Sequence, residues 1–282
     1  MNEIVLTPKS SRQVGRSLLK DNWTRAAAVF TAGMFGVVVF ILFNNLITAL
    51  IDKVMTLDKT TDAANSAVST ANEFASQFGG FKLSYAITLV LAAFFFMFIS
   101  PLTLGSTRWY HSLADCSNVQ VGQIFYYYRG NERLVEALVF ELKRLEKHLG
   151  TLILSFAPAA ACFGFSVSYA KDASRAGMVM PLRIAGAALI VAGIIFYALW
   201  ITRYFLAKYL MVSDRGFEVA DCFKVSTRYM RGMHGKVIRV ILSFIPYFLT
   251  CVFIAPAVIV IPMFDTTMAA CAQDIIDART PV

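Results

Sequence analysis

Apolar residues fall into long unbroken runs in this chain, and the short stretches between them carry nearly all of the charge. Residues 26–51, 83–105, 149–170 and 184–202 contain no charged side chain. A helix of about 20 apolar residues crosses the roughly 30 Å hydrocarbon layer of a bilayer, so each run predicts a membrane span. From residue 237 onward two patterns fit. One is a single span with the tail outside. The other is a hairpin, 237–254 and 257–276, broken at Ala255-Pro256. The returning arm is the weaker, because it contains Asp265 and Gln273. The expected fold is all-α, a polytopic transmembrane bundle of six spans, five strong and the last weak. Residues 1–25 form a basic N-terminal segment, and 26–282 a single membrane domain.

The polar stretches have helical patterns of their own. In Ser213–Arg239, Val219, Cys222, Phe223, Ser226 and Met230 make one mainly apolar face. Glu218, Asp221, Lys224, Arg228 and Arg231 fall opposite, with the acids toward the N-terminus and the bases toward the C-terminus, as the helix dipole favours. Ser213 and Asp214 suit an N-cap and Gly232 a left-handed C-terminal cap. Flanked by spans, this stretch predicts an amphipathic helix in the headgroup layer. Leu134, Leu138, Leu142, Leu145 and Leu149 form a second apolar stripe, with Asn131 as a candidate cap and Glu141–Arg144 as a helix-neighbour pair. Residues 64–78 repeat apolar positions at helical spacing and predict a helix on the outer face. Ala157, Ala161, Gly164 and Ser168, and separately Gly186 and Gly193, are small-residue positions that predict close helix contacts. Pro101, inside the second span, frees a backbone carbonyl that a neighbour must satisfy.

Composition agrees: of 282 residues 57% are hydrophobic and 16% charged, against about 25% charged in soluble domains. The formal charge of +8 follows the loops. With the N-terminus inside, alternate segments place 19 Lys and Arg inside and 6 outside, before the tail. That asymmetry predicts a cytoplasmic N-terminus. Trp23, Trp109 and Trp200 then fall near the cytoplasmic headgroups. The first apolar run is too long for a cleaved signal and is expected to remain as an anchor. The five cysteines lack a CxxC pair and the three histidines lack metal-ligand spacing, so no metal or other cofactor is expected. Leu154-Ser155-Phe156-Ala157-Pro158 and Leu242-Ser243-Phe244-Ile245-Pro246 share four of five residues, an internal-repeat signal that favours six spans.

The second half also resembles bacterial membrane proteins of domain-of-unknown-function family 975, over residues 100–276. The matching positions are Pro101 and Gly105, Tyr209 and Asp214, then Ala220, Ser226, Met230 and Gly232, and finally Leu242–Phe244. Pro262 is followed by Met263, where that family has Pro-Tyr. The resemblance implies a six-span bundle with both ends inside, and no activity.

No converging nucleophiles, carboxylates or metal ligands lie in the spans, so no enzyme is expected. The expected role is that of a membrane-organising or accessory protein in the bacterial cytoplasmic membrane. Its expected partners are the bilayer's anionic headgroups and other membrane proteins, not nucleic acid. Residues 203–239 carry eight bases against three acids. Candidate functional or lipid-contact residues are Asp265, Lys224, Arg228, Arg231, Pro101 and Gly105. The alternative is a transporter of a small solute or lipid with a polar path. Asp265, the one acid expected at membrane depth, is central to that reading.

Overall fold

The computed structural model describes residues 7–57, 83–115, 119–171, 175–213, 215–252 and 254–280. The outer-face helix expected over 64–78, Cys116 and Asp214 lie outside these residues. The fold is all-α. The order is α1 (Pro8–Leu19), α2 (Trp23–Leu57), α3 (Leu83–Asp115), a 3₁₀ turn (Val121–Tyr128), α4 (Asn131–Tyr169), α5 (Val179–Ile201), α6 (Ala207–Val212), α7 (Val219–Tyr229), α8 (His234–Leu242), α9 (Ile245–Thr250) and α10 (Ile254–Arg279). Among the described residues, five stretches are long and apolar enough to cross a membrane: Trp23–Leu50, Thr88–Asp115, Asn131–Tyr169, Val179–Val212 and Ala255–Arg279. The chain is therefore a multi-pass membrane protein.

The expected span over 237–254 differs. It is divided between α8 and α9 by a break at Ser243–Phe244. Pro246 explains the break: its ring removes the N–H that would bond back to Leu242 and clashes with that carbonyl. The weaker arm is instead the long helix α10. It is also the most enclosed, with 56% of its apolar window buried against 11% for the first span. The matched pentapeptides do not share a conformation. Leu154–Pro158 runs through unbroken α4, whereas Leu242–Pro246 spans the break, so the repeat has no structural counterpart at its strongest match.

Two layers make up the molecule. At one end, here the basal layer, α1, the adjoining ends of α2 to α4, and α6 to α8 gather around the C-terminal part of α10. Its core includes Leu19, Trp109, Leu113, Phe140, Tyr209, Met230 and Ile275, each essentially inaccessible. Burying side chains of this size contributes about 1.5–3 kcal/mol each. In the other layer the helices pair, α2 with α3 and α4 with α5. Their remaining faces expose Phe35, Leu42, Phe94, Phe98, Ile153 and Ile195, suited to lipid.

Close approaches fix the joints. Thr7 caps α1 by accepting from Ser10 N–H at 3.3 Å, and Pro8 occupies the first turn. Ser11, Gly15 and Leu19 form the buried face of α1, which packs on α10. A Cβ on Gly15 would lie 2.2 Å from Thr267 Oγ1. A Cβ on Gly105 would lie 2.0 Å from the Ile124 carbonyl oxygen of the 3₁₀ turn. Gly186 and Gly193 do admit close contact, against Phe163 and against the Ser155 carbonyl. The partner stripe on α4 is not the expected one. Ala157, Ala161, Gly164 and Ser168 are exposed, while Thr151, Ser155, Ala159 and Ser166 are buried.

The amphipathic patterns are real, but their apolar faces pack within the protein. Cys222, Phe223, Ser226 and Met230 are buried. Phe223 stacks on Phe140 at 5.2 Å, and Ser226 Oγ donates to the Arg203 carbonyl at 2.8 Å. The helix expected in Ser213–Arg239 is α7, preceded by Gly216 and followed by Gly232 with φ of +69° and +80°, and α8 starts just beyond at His234. Gly232 thus holds the left-handed conformation expected of it. Ser213 ends α6, with its hydroxyl donating to Leu210 O at 2.7 Å, rather than starting the next helix. The Leu stripe of α4 is turned outward at Leu142, Leu145 and Leu149, and Ala137, Phe140 and Glu141 are buried instead. Asn131 is the first helical residue, with Gly130 at the cap. Trp109 is fully buried and anchors the core rather than a headgroup layer.

Candidate functional site

Pro101 lies buried inside α3 and cannot donate to the Met97 carbonyl. The surrounding turn is held by local bonds: Ser100 Oγ donates to Phe96 O at 2.6 Å, and Tyr128 O–H donates to Phe98 O. Four residues on, Gly105 lets the 3₁₀ turn lie directly on α3. These two candidates therefore shape α3. Neither presents a reactive group.

On the other side of α3 a cavity of about 510 Å³ opens between α3, α4, α6 and α10. Drug-sized ligand sites fall in the range of about 300–1,000 Å³. Asp265 of α10 lines it, with Lys208 and Tyr209 of α6 and Tyr110 of α3. Glu141, Arg144 and His148 of α4 complete the polar wall. Phe96, Ile99 and Leu145 add apolar lining. Glu141 and Arg144 form their expected pair at 3.0 Å, and His148 Nδ1 shares a hydrogen bond with Tyr197 Oη at 3.1 Å. Ser100, Thr103, Ser106 and Thr107 each bond back to a carbonyl of their own helix, leaving hydroxyl lone pairs for the cavity.

Lys208 and Asp265 are within electrostatic reach of each other. Among the described residues neither is held in a hydrogen bond or close ion pair, and Lys208 Nζ lies 4.8 Å from the Tyr209 ring centroid. The Tyr110 hydroxyl is buried and, among the described residues, has no hydrogen-bond partner. A smaller cavity of about 210 Å³ between α2, α3 and α10 shares Ile99, Thr103, Ser106, Tyr110 and Asp265 with the first. Asp265 and Tyr110 thus stand in the partition between two spaces. Among the described residues, no group of three His, Cys, Asp or Glu side chains converges as a metal site would require.

The remaining candidates lie elsewhere. Lys224, Arg228 and Arg231 are exposed on or just after α7, away from the cavity. Lys224 pairs with Asp221 at 3.1 Å, and the Arg231 carbonyl accepts from Arg279 at 3.2 Å. Two other bases are held by an aromatic ring: half-buried Arg108 and exposed Arg133 sit 4.0 and 4.4 Å from the Tyr126 ring, cation–π contacts that tie the aromatic turn to α3 and α4. His234, outside the spans, contacts Thr202 Oγ1 at 3.3 Å. Desolvation, with the nearby Arg203 cation second, pushes its imidazole below the usual range. Sequence reasoning singles out Asp265 but not Lys208, Tyr110 or Arg144 as its neighbours. A lysine just beyond the fourth apolar run, on the same helical path, is the available signal.

Comparison with family models, curated proteins and solved structures returns no match to this chain.

Proposed function

We propose that this chain is a non-enzymatic membrane-organising or accessory protein of the bacterial cytoplasmic membrane, with its N-terminus on the cytoplasmic side. It engages anionic headgroups and partner membrane proteins through the basic outer surface of its basal layer. One observation carries this reading. The apolar faces of α1 and α7 are spent inside the protein, while Arg16, Lys20, Arg25, Arg228, Arg231 and Arg239 remain exposed on the same layer. Bases held near an anionic leaflet contribute about 1 kcal/mol each. Replacing Lys224, Arg228 and Arg231 with glutamate should cut the anionic lipid that co-purifies from mixed nanodiscs by about tenfold or more, with the fold intact. Unchanged retention, measured by native mass spectrometry, would remove this surface from the reading.

A second reading is movement of a small solute or lipid along a polar path. The meeting of two cavities at Tyr110 and Asp265 favours it. Asp265→Asn should then alter flux in reconstituted vesicles at least tenfold. Flux equal to that of the unaltered protein would take Asp265 out of any such path.

A further inference from the structure

We propose that the cavity between α3, α4, α6 and α10 binds a zwitterionic group that pairs a primary ammonium with a phosphate or carboxylate. The ammonium sits at Asp265 and the anion at Lys208, with Tyr110 hydrogen-bonded to the ligand. It concerns the same cavity as the second reading but holds whether or not a solute is moved, and it does not involve the basic outer surface.

The two charges carry the argument. Lys208 and Asp265 face one space, yet neither is directly paired among the described residues. Both are half-buried, and a charge partly withdrawn from water gains from a partner. A lone anion would satisfy Lys208 and leave Asp265 beside added negative charge. A lone cation would do the reverse. A ligand bearing both signs satisfies both and keeps the cavity's charge balanced, because Glu141 and Arg144 already neutralise each other. The independent observation is Tyr110, a residue of the cavity lining: it is 3% exposed, and its buried hydroxyl bonds to no group among the described residues. Buried hydroxyls are almost always bonded, so this one points to a partner within the cavity. Phe96, Ile99 and Leu145 add apolar surface to the same lining. The site therefore suits both a free zwitterion and a phosphatidylethanolamine headgroup with its chains lying on the apolar lining.

A primary ammonium donates hydrogen bonds to a carboxylate, and a quaternary one cannot. The test uses the full chain in nanodiscs of phosphatidylethanolamine, phosphatidylglycerol and phosphatidylcholine in equal parts. Lipid retained after mild release is read by native mass spectrometry, and phosphoethanolamine and phosphocholine are titrated separately. The expected result is at least tenfold preference for the ethanolamine form. If only the lipid shows it, the source is the headgroup; if the soluble compound shows it too, a free zwitterion suffices. Lys208→Gln and Asp265→Asn should each abolish the preference. Tyr110→Phe removes an atom that no described protein group bonds, so it should fold normally and weaken binding about tenfold. Equal retention of all three lipids with no binding of phosphoethanolamine overturns the assignment. So does preference for choline, or an ethanolamine preference that survives these substitutions. If the two charge variants do not fold, Tyr110→Phe decides alone, and unchanged affinity overturns the site.

Discussion

Gly105→Ala should destabilise this protein, although alanine is the better helix former. Propensity alone favours alanine over glycine by about 1 kcal/mol inside a helix. At this position the new methyl group would sit 2.0 Å from the Ile124 carbonyl oxygen, and the next atoms, at 2.7 and 3.1 Å, are also backbone. No rotamer change can relieve contact with a main chain. Overpacking costs about 1–3 kcal/mol, and a backbone obstacle places this case at or above the upper end. The clash therefore wins, and a net loss of about 2 kcal/mol is expected. It should appear as a drop of several degrees in the unfolding midpoint in detergent. Gly164→Ala is the control, because nothing lies within 4 Å of its added carbon. That variant should be neutral or slightly stabilising. A Gly105→Ala protein as stable as the control would mean that the 3₁₀ turn is not seated on α3.

Gly15→Ala should have a comparable cost, but one that can be repaired. Here the nearest atom is a side-chain oxygen, Thr267 Oγ1, at 2.2 Å, while the Thr267 Cα and Cβ stand at 3.2 Å. Thr267 is fully buried, and its hydroxyl donates to the Met263 carbonyl of its own helix at 2.7 Å. Removing that hydroxyl loses a bond within the helix and leaves no side chain elsewhere without its partner. Gly15→Ala alone should cost about 2–3 kcal/mol by overpacking. In the double variant Gly15→Ala with Thr267→Ala, about 1 kcal/mol or more should return as a coupling between neighbours. A thermal-shift double-mutant cycle measures this directly. Strict additivity would show that α1 and α10 do not touch at these two residues.

The spans are legible in the sequence because an apolar run of bilayer length fits few structures besides a membrane helix. Which side of each span faces protein is not legible. Lipid is as apolar as a leucine-rich core, so side-chain apolarity cannot tell the two apart. That is why Leu142, Leu145 and Leu149 are turned outward although they read as a packing stripe, and why Ala157 and Gly164 are exposed while Ser155 and Ala159 are buried. Amphipathic α7 misleads in the opposite sense. Its pattern points the apolar face at headgroups, but Phe140 and Tyr204 cover that face within the protein. Asp265 stands out as a lone acid in an apolar run. Its surroundings do not, because Tyr110, Arg144 and Lys208 come from three further helices that the chain separates by dozens of residues. Each of those side chains has a simpler local meaning as a loop charge or an interfacial aromatic.

The docking of α1 on α10 also constrains the order of assembly. Because α1 precedes the spans and α10 is the last of the described helices, α1 receives its partner only after the helices between them have been made. Until then Ser11, Gly15 and Leu19 present an uncovered seam, and the cavity lacks the wall that Asp265 supplies. Insertion of the first four spans can proceed pair by pair, but closure of the basal layer must wait for the last. A nascent chain arrested before residue 254 should therefore be membrane-integrated yet open to protease at α1, a vulnerability that synthesis and docking of α10 would end.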